Sequence, residues 1–300
     1  EKTVVVINTP IMRRNGVIFI VGSLACLSST SFGFSLPSRV SPGNAQQLVH
    51  RQHRQRARTC YGTPVARELD TDALKTYPLA IGVQMAGITS FLALLDLAVS
   101  VSGIDPASIP LPAILVLFVT MSLRSRVFNP LNNKRPDLEK VSKGEETSGF
   151  NDRTMPSWTP PGVTFPIMWV LIVAPLRAFS TSLVMASHGY HFCDPTILAL
   201  MLHLSIGDTW NTVNNAEKRL GAAVPGIACV WLSGLNAARA YSDVDDVAGL
   251  CLYATAVWIA VAGALIADTW RINNSEGDEP LYPYVGQAKT KFAWKVPFLK

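Results

Sequence analysis

The sequence predicts an all-α membrane protein, a bundle of six transmembrane helices behind a basic leader. Three observations predict it. Of 300 residues, 49% are hydrophobic and only 16% charged, against about 25% charged in an average soluble domain. Six windows are long and apolar enough, or nearly so, to cross a hydrocarbon core that takes about 20 residues of helix. The Lys and Arg residues between those windows fall on alternate links, as the positive-inside rule requires. The same composition excludes intrinsic disorder for most of the chain, because disorder needs low hydrophobicity and high charge. Five Cys are neither dense nor even in number, which excludes a disulfide-stapled secreted module.

The net charge of +5 invites a nucleic-acid reading, but its distribution removes that reading. Residues 1–67 hold nine Lys/Arg and a single acid, Glu1, whereas residues 68–300 hold 17 basic and 20 acidic residues. The basic excess belongs to the leader, and no nucleic-acid partner is expected. Residues 1–33 read as a signal peptide: Met12-Arg13-Arg14-Asn15-Gly16 is a short positive stretch, with Met12 the expected initiator, followed by an apolar run at 17–27 and small residues at 28–31. Residues 34–67 are Arg-rich and acid-free, as a transit peptide would be. A signal peptide running into a transit peptide, with Phe32 and Phe34 at the junction, resembles the bipartite leader of algae with secondary plastids. That implies a plastid membrane. The alternative is a plain secretory signal with a basic linker, and the endoplasmic reticulum or another organelle membrane.

The elements follow in order. Segment 68–109 contains the first span, α1, at about 79–101. Helix α2, at 110–124, is short and flanked by Pro110 and Pro112. Helix α3 covers 162–187, α4 (the most polar) 196–213, α5 221–241 and α6 247–272. The tail 275–300 is too polar to span, and its Tyr282, Tyr284, Phe292 and Trp294 suit a membrane interface. The α1–α2, α3–α4 and α5–α6 links carry no Lys or Arg, and the last carries Asp243, Asp245 and Asp246. The α2–α3 link carries Arg124, Arg126, Lys134, Arg135, Lys140, Lys143 and Arg153; the α4–α5 link carries Lys218 and Arg219; the tail carries Lys289, Lys291, Lys295 and Lys300. Both mature termini therefore lie on the basic side. No Gly-rich phosphate loop, HExxH, EF-hand loop or CxxC pair is present, which excludes an ATP-driven pump within this chain. No internal repeat supports an inverted-repeat transporter.

The start of α3 is the most specific stretch. Pro160 and Pro161 suit a first helical turn, where their missing amide protons cost little. At about 100° per residue, Phe165 and Trp169 share one face, which Val173 and Leu176 extend. By itself such a stripe reads as helix core as readily as a ligand wall.

The full spacing, Pro156, Trp158, Pro160, Pro161, Phe165 and Trp169, resembles the TspO/MBR family, the tryptophan-rich sensory or translocator proteins, in which such a segment opens the second of five membrane helices. Leu204 to Trp210 is similar to the family's third helix, with Gly207 where the family prefers Asn. Ala248 to Leu252, then Trp258, Ala262 and Trp270 to Asn273, resemble its fifth. The resemblance covers about 110–274 and implies a TspO-like five-helix transmembrane bundle, α2–α6, with α1 an extra N-terminal transmembrane helix. Two departures bear on function. Ala254 and Thr255 stand where the family carries Pro-Tyr, and Ala267 stands where a sterol motif would need Tyr. Sterol binding is therefore not carried over.

What the resemblance does imply is a membrane receptor or transporter that binds a flat tetrapyrrole (porphyrin, haem or bilin) as ligand, in a pocket formed by Trp158, Phe165, Trp169, Trp210, Trp258 and Ala262, with no cofactor required. Indole faces stack on such a macrocycle, and indole N–H groups can reach a propionate. Trp158 would be part of a lid. Intramembrane charges are functional candidates by default. Arg177 and Asp208, with Asn211 three residues on, either polarise the pocket, Arg177 meeting a tetrapyrrole carboxylate, or form an ion pair that fixes α3 against α4. The loop 188–194 has metal-ligand residue types at a spacing that fits no established site, so no metal is expected. Small-xxx-small pairs (Ala222/Gly226, Gly234/Ala238, Gly263/Ala267) allow close helix packing and are compatible with the homodimer the family forms. Two other functions compete: a structural or accessory subunit of a plastid pigment–protein complex, and light-dependent porphyrin degradation. No acid–base or nucleophile constellation supports conventional catalysis.

Overall fold

The computed structural model describes residues 67–131, 153–274 and 279–293, all within the compact unit Tyr61–Lys300. The leader through residue 66, most of the α2–α3 link with its Lys134 to Lys143 charges, and Trp294 lie outside the described residues. The described residues are helical, with no strands and only two isolated bridges, Leu69–Tyr284 and Leu131–Phe292.

All six expected helices form. Five of them are long and apolar enough to span a bilayer: α1 (Thr71–Ser102), α2 (Leu111–Phe128), α3 (Thr164–Ser187), α5 (Leu220–Ser242) and α6 (Asp246–Asn273). The remaining helix, α4 (Pro195–Asn211), is shorter and continues as a wider π turn, Thr212–Ala216. The chain is thus an integral membrane protein in a lipid bilayer. Helix α1 begins eight residues earlier than hydropathy indicates, because Asp70 accepts the Ala73 amide and caps two polar turns. Its 32 residues extend about 48 Å, longer than the ~30 Å hydrocarbon core. It stops where Gly103 takes φ 67°, a left-handed conformation that glycine adopts without strain. Asp194 and Asp245 cap α4 and α6 in the same way as Asp70. The acids of the uncharged-side links are therefore helix starters as well as topology signals.

Helix α3 is irregular. Thr164–Pro166 is α-helical, Ile167–Val173 is a π-helix, and Ala174–Ser187 returns to α. The Ala174 amide reaches back five residues to the Trp169 carbonyl, and Pro175 has no amide to offer the preceding turn. A proline that breaks the i→i−4 ladder and a widened turn just before it are one local solution. The extra residue alters the expected stripe: past Trp169 the cavity is lined by Ala174 and Arg177, whereas Val173 is buried away from it and Leu176 does not line it.

The bundle closes as a ring in the order α1, α4, α5, α6, α3, α2, with α1 resting on α4 and on the 3-10 turn Ser125–Phe128 that ends α2. Its two ends differ. Toward the acid-rich links the six helices pack solidly, with Leu92, Phe118, Met185, Leu200, Tyr241 and Leu252 among the buried core. Toward the basic links the helices enclose a cavity, and a smaller cluster of Ile227, Val230 and Ile259 forms part of its wall. The small residues are used inside the bundle: a Cβ on Gly226 would stand 2.9 Å from the Trp210 ring, and one on Gly234 would stand 3.2 Å from His203.

The C-terminal segment 279–293 straps the basic end. Tyr284 pairs with Leu69, and the Asp70 amide donates to the Pro283 carbonyl. The fully buried Arg219 holds the strap: its guanidinium lies 2.7 Å from the Asp70 carboxylate, 3.0 Å from Glu217 and 2.9 Å from the Ala288 carbonyl. Glu279 accepts the Gly221 amide, and its carbonyl accepts the Trp270 indole N–H. Tyr282 and Tyr284 therefore serve a folded cap over the helix ends.

Candidate functional site

The cavity in the basic half has a volume of about 600 Å³ and is reached by side chains from α2, α3, α4, α5 and α6. Its apolar wall comes from Phe165 and Trp169 on α3, Trp210 on α4 and Ile259, Ala262 and Ile266 on α6. On α6 the lining positions recur at helical spacing, and Ala262 leaves space where a larger side chain would project. Its polar wall is mainly cationic: Arg126, Arg153 and Arg177 face one carboxylate, Asp208.

Each of these groups is held from behind. Asp208 accepts from the Gln84 amide at 2.8 Å and the Ser125 hydroxyl at 2.6 Å, and lies 3.9 Å from the Arg126 guanidinium. Gln84, fully buried on α1, also donates to the Ser125 carbonyl and accepts from Asn129, which in turn donates to Thr209. Helix α1 is thereby bonded into the floor of the site. Arg153 grips Asn214 through both its side-chain and backbone oxygens, at 3.1 Å each. Asn211 spends its polar atoms on the Gly207 carbonyl and on Asn215.

Arg177 and Asp208 both line the cavity but do not form an ion pair with each other, unlike the structural pairing the sequence allowed. Arg177 instead bonds the His203 Nε2 at 2.6 Å and lies 5.7 Å from the centre of the Trp169 ring. The three Arg and Asp208 are spread around the wall because their helices are tied to different neighbours.

The tryptophans separate into distinct roles. Trp169 and Trp210 stand on the wall with Phe165 and Ala262. The Trp210 N–H is already donated to the Ala223 carbonyl at 3.0 Å, so Trp210 offers a ring edge or face and not a proton. Trp258 is turned off the lining face and backs Phe165, their ring centres 6.2 Å apart. Trp158 is 45% exposed, and its N–H reaches the Asp268 carboxylate at 2.8 Å. Together with the reciprocal Thr154–Asn273 bonds, it clips the end of the α2–α3 link to α6. Sequence reasoning did not single out Gln84, Arg126 or Arg153 for the site. A lone Gln in an otherwise apolar span was the available signal for the first; the two Arg read only as topology charges.

Outside the membrane spans, Asp194 is held below the usual carboxylate range. Partial burial opposes this, but the bond with His188 and the Thr196 amide outweigh it. The loop His188 thus secures the α4 cap. Burial, with Asp96 and Asp194 nearby, pushes the Cys193 thiol up and makes it a poor nucleophile.

Residues 138–271 match the TspO/MBR family. The matched stretch takes in α3, α4, α5 and nearly all of α6; α1 and α2 precede it. Protein CrtK of Rhodobacter capsulatus is 26% identical over 138 residues, which cover 44% of this chain and 81% of that protein.

Proposed function

With residues 138–271 a TspO/MBR-family region inside a six-helix membrane bundle, we propose that the protein is a membrane receptor or carrier whose basic-side cavity binds a planar tetrapyrrole. One observation carries this reading: a cavity of about 600 Å³ that joins an aromatic wall, Phe165, Trp169 and Trp210, to a cationic one. Pockets of this size with a mostly apolar lining and a few placed polar groups are the ordinary form of a small-molecule site. A macrocycle with acidic side chains matches both walls. The leader further supports placement in a plastid membrane, which imaging of a leader–fluorescent-protein fusion tests.

The binding test is a titration of the detergent-solubilised protein with protoporphyrin, haem or a bilin, following Trp emission and pigment absorption in the dark. Saturable quenching that weakens about tenfold or more in Trp169→Ala supports the reading, since base- or ring-scale stacking on an aromatic contributes about 1–3 kcal/mol. Absence of saturable binding by every pigment overturns it and favours an accessory, structural role. Pigment loss confined to illuminated samples would assign the degradative activity instead.

A further inference from the structure

Arg177 is 5% exposed, lines the cavity, and leaves its Nε without a hydrogen-bond partner. Its environment fixes what it can do. His203 Nδ1 lies 3.1 Å from the Val230 carbonyl, which can only accept, so Nδ1 carries the imidazole proton. The Nε2 lone pair is then free to accept from Arg177 at 2.6 Å. That assignment makes His203 neutral, and the Ser233 hydroxyl, 3.1 Å from the same Nδ1, completes its surroundings. The guanidinium thus keeps its full positive charge while one of its nitrogens is anchored to an uncharged partner. Asp208, the carboxylate on the same cavity wall, is occupied by Gln84, Ser125 and Arg126. Trp169 covers one side of the guanidinium at 5.7 Å, an arrangement that favours a planar cation over a mobile ammonium.

A buried cation whose neighbouring carboxylate is hydrogen-bonded elsewhere and shared with other cations has its charge incompletely compensated, which is costly. The natural complement to a guanidinium with an unpaired Nε–H on a cavity wall is a carboxylate, which a guanidinium can meet through two parallel bonds. We propose that Arg177, positioned by His203, is the docking point for a carboxylate of the ligand, so that the site selects free-acid tetrapyrroles over their esters or uncharged analogues. This inference rests on the tetrapyrrole reading of the cavity and adds which end of the ligand enters first: the acid goes to Arg177, and the ring lies against Trp169 and Phe165. His203 acts only through Arg177.

The experiment compares protoporphyrin IX with its dimethyl ester on the unmodified protein, by fluorescence titration in the same detergent. The diacid is expected to bind about tenfold or more tightly than the diester, the range given by losing a hydrogen bond to a charged group. Arg177→Gln should bring diacid affinity down to that of the diester measured on the same variant; Arg177→Lys should restore part of the preference. His203→Leu should narrow the preference without abolishing diester binding. Equal affinity for the two pigments on the unmodified protein overturns this inference while leaving the tetrapyrrole reading in place, and so does an undiminished preference in Arg177→Gln. Failure of both pigments to bind overturns the reading itself. The comparison on unmodified protein keeps the inference falsifiable even if a variant does not fold, since equal affinities there overturn it.

Discussion

At the scale of single residues, the decisive group is one that looks incidental in the sequence. Gln84 lies in a helix that precedes the family match, yet its side chain is fully buried and joins Asp208, Asn129 and the Ser125 carbonyl. A buried amide in this position bonds three other buried polar groups at once, and removing it takes one buried partner from each. Gln84→Leu is expected to destabilise the protein by about 2–4 kcal/mol, seen as a lower midpoint of thermal unfolding in detergent. An unchanged midpoint would mean that the network contributes nothing net. Gln84→Glu should fare no better, since it places a second carboxyl beside Asp208. Such networks are hard to read from sequence because each member has an ordinary local role: Ser125 and Asn129 look like helix-end residues, and Gln84 a tolerated polar side chain.

At the scale of the helix, hydropathy made all six elements legible, because a bilayer forces long apolar runs. For α4, shorter and more polar, Asp194 and Pro195 at its start were an available signal that hydropathy alone did not use. What the pattern could not show was the turn inside α3. A uniform 100° step carries the Phe165–Trp169 face to Val173 and Leu176, and the π segment turns Ala174 and Arg177 to the cavity instead. Eight residues separate Trp169 from Arg177; in a regular helix that is about 80° off a common face, whereas seven would fall within about 20°. Deleting Ile172, which lies on the outer surface at 40% exposure, should convert the turn to regular α-helix and keep Trp169 and Arg177 together. The expected outcome is a folded protein that retains its diacid preference. A deletion variant that folds but loses the preference would show that the wide turn does more than absorb a residue. One position is 100° of rotation: Ile259 lines the cavity, whereas its neighbour Trp258, expected on the wall, stands behind Phe165.

At the scale of the whole molecule, the alternation of charged links is matched by an alternation in packing, solid at the acid-rich end and hollow at the basic end. The aromatic wall was partly legible from the family resemblance, because Phe165, Trp169, Trp210 and Ala262 are close to their motifs. The C-terminal strap was not, since nothing local in 279–293 announces that Arg219 and Asp70 will clasp it. That clasp gives the protein a pH dependence of definite sign. Burial raises the Asp70 carboxyl, but the Ala73 amide and Arg219 outweigh it and hold Asp70 below its ordinary 3.8. A carboxyl depressed by folding contributes stability above its unfolded value, and that contribution is lost as pH falls through its folded one. Thermal unfolding in detergent should therefore show a lower midpoint below about pH 4, and Asp70→Asn should remove part of that dependence while lowering stability at pH 7. An identical pH profile in Asp70→Asn would assign the acid sensitivity to other carboxylates.

The hollow end has a consequence for direction. A ligand held as proposed between Trp169 and Ala262 would lie in the basic half of the bundle, and beyond it stand the buried, packed Leu200, Tyr241 and Leu252. On that reading the occupant would enter and leave from the basic side with every helix in place, whereas crossing to the other end would require the packed half of the ring to part.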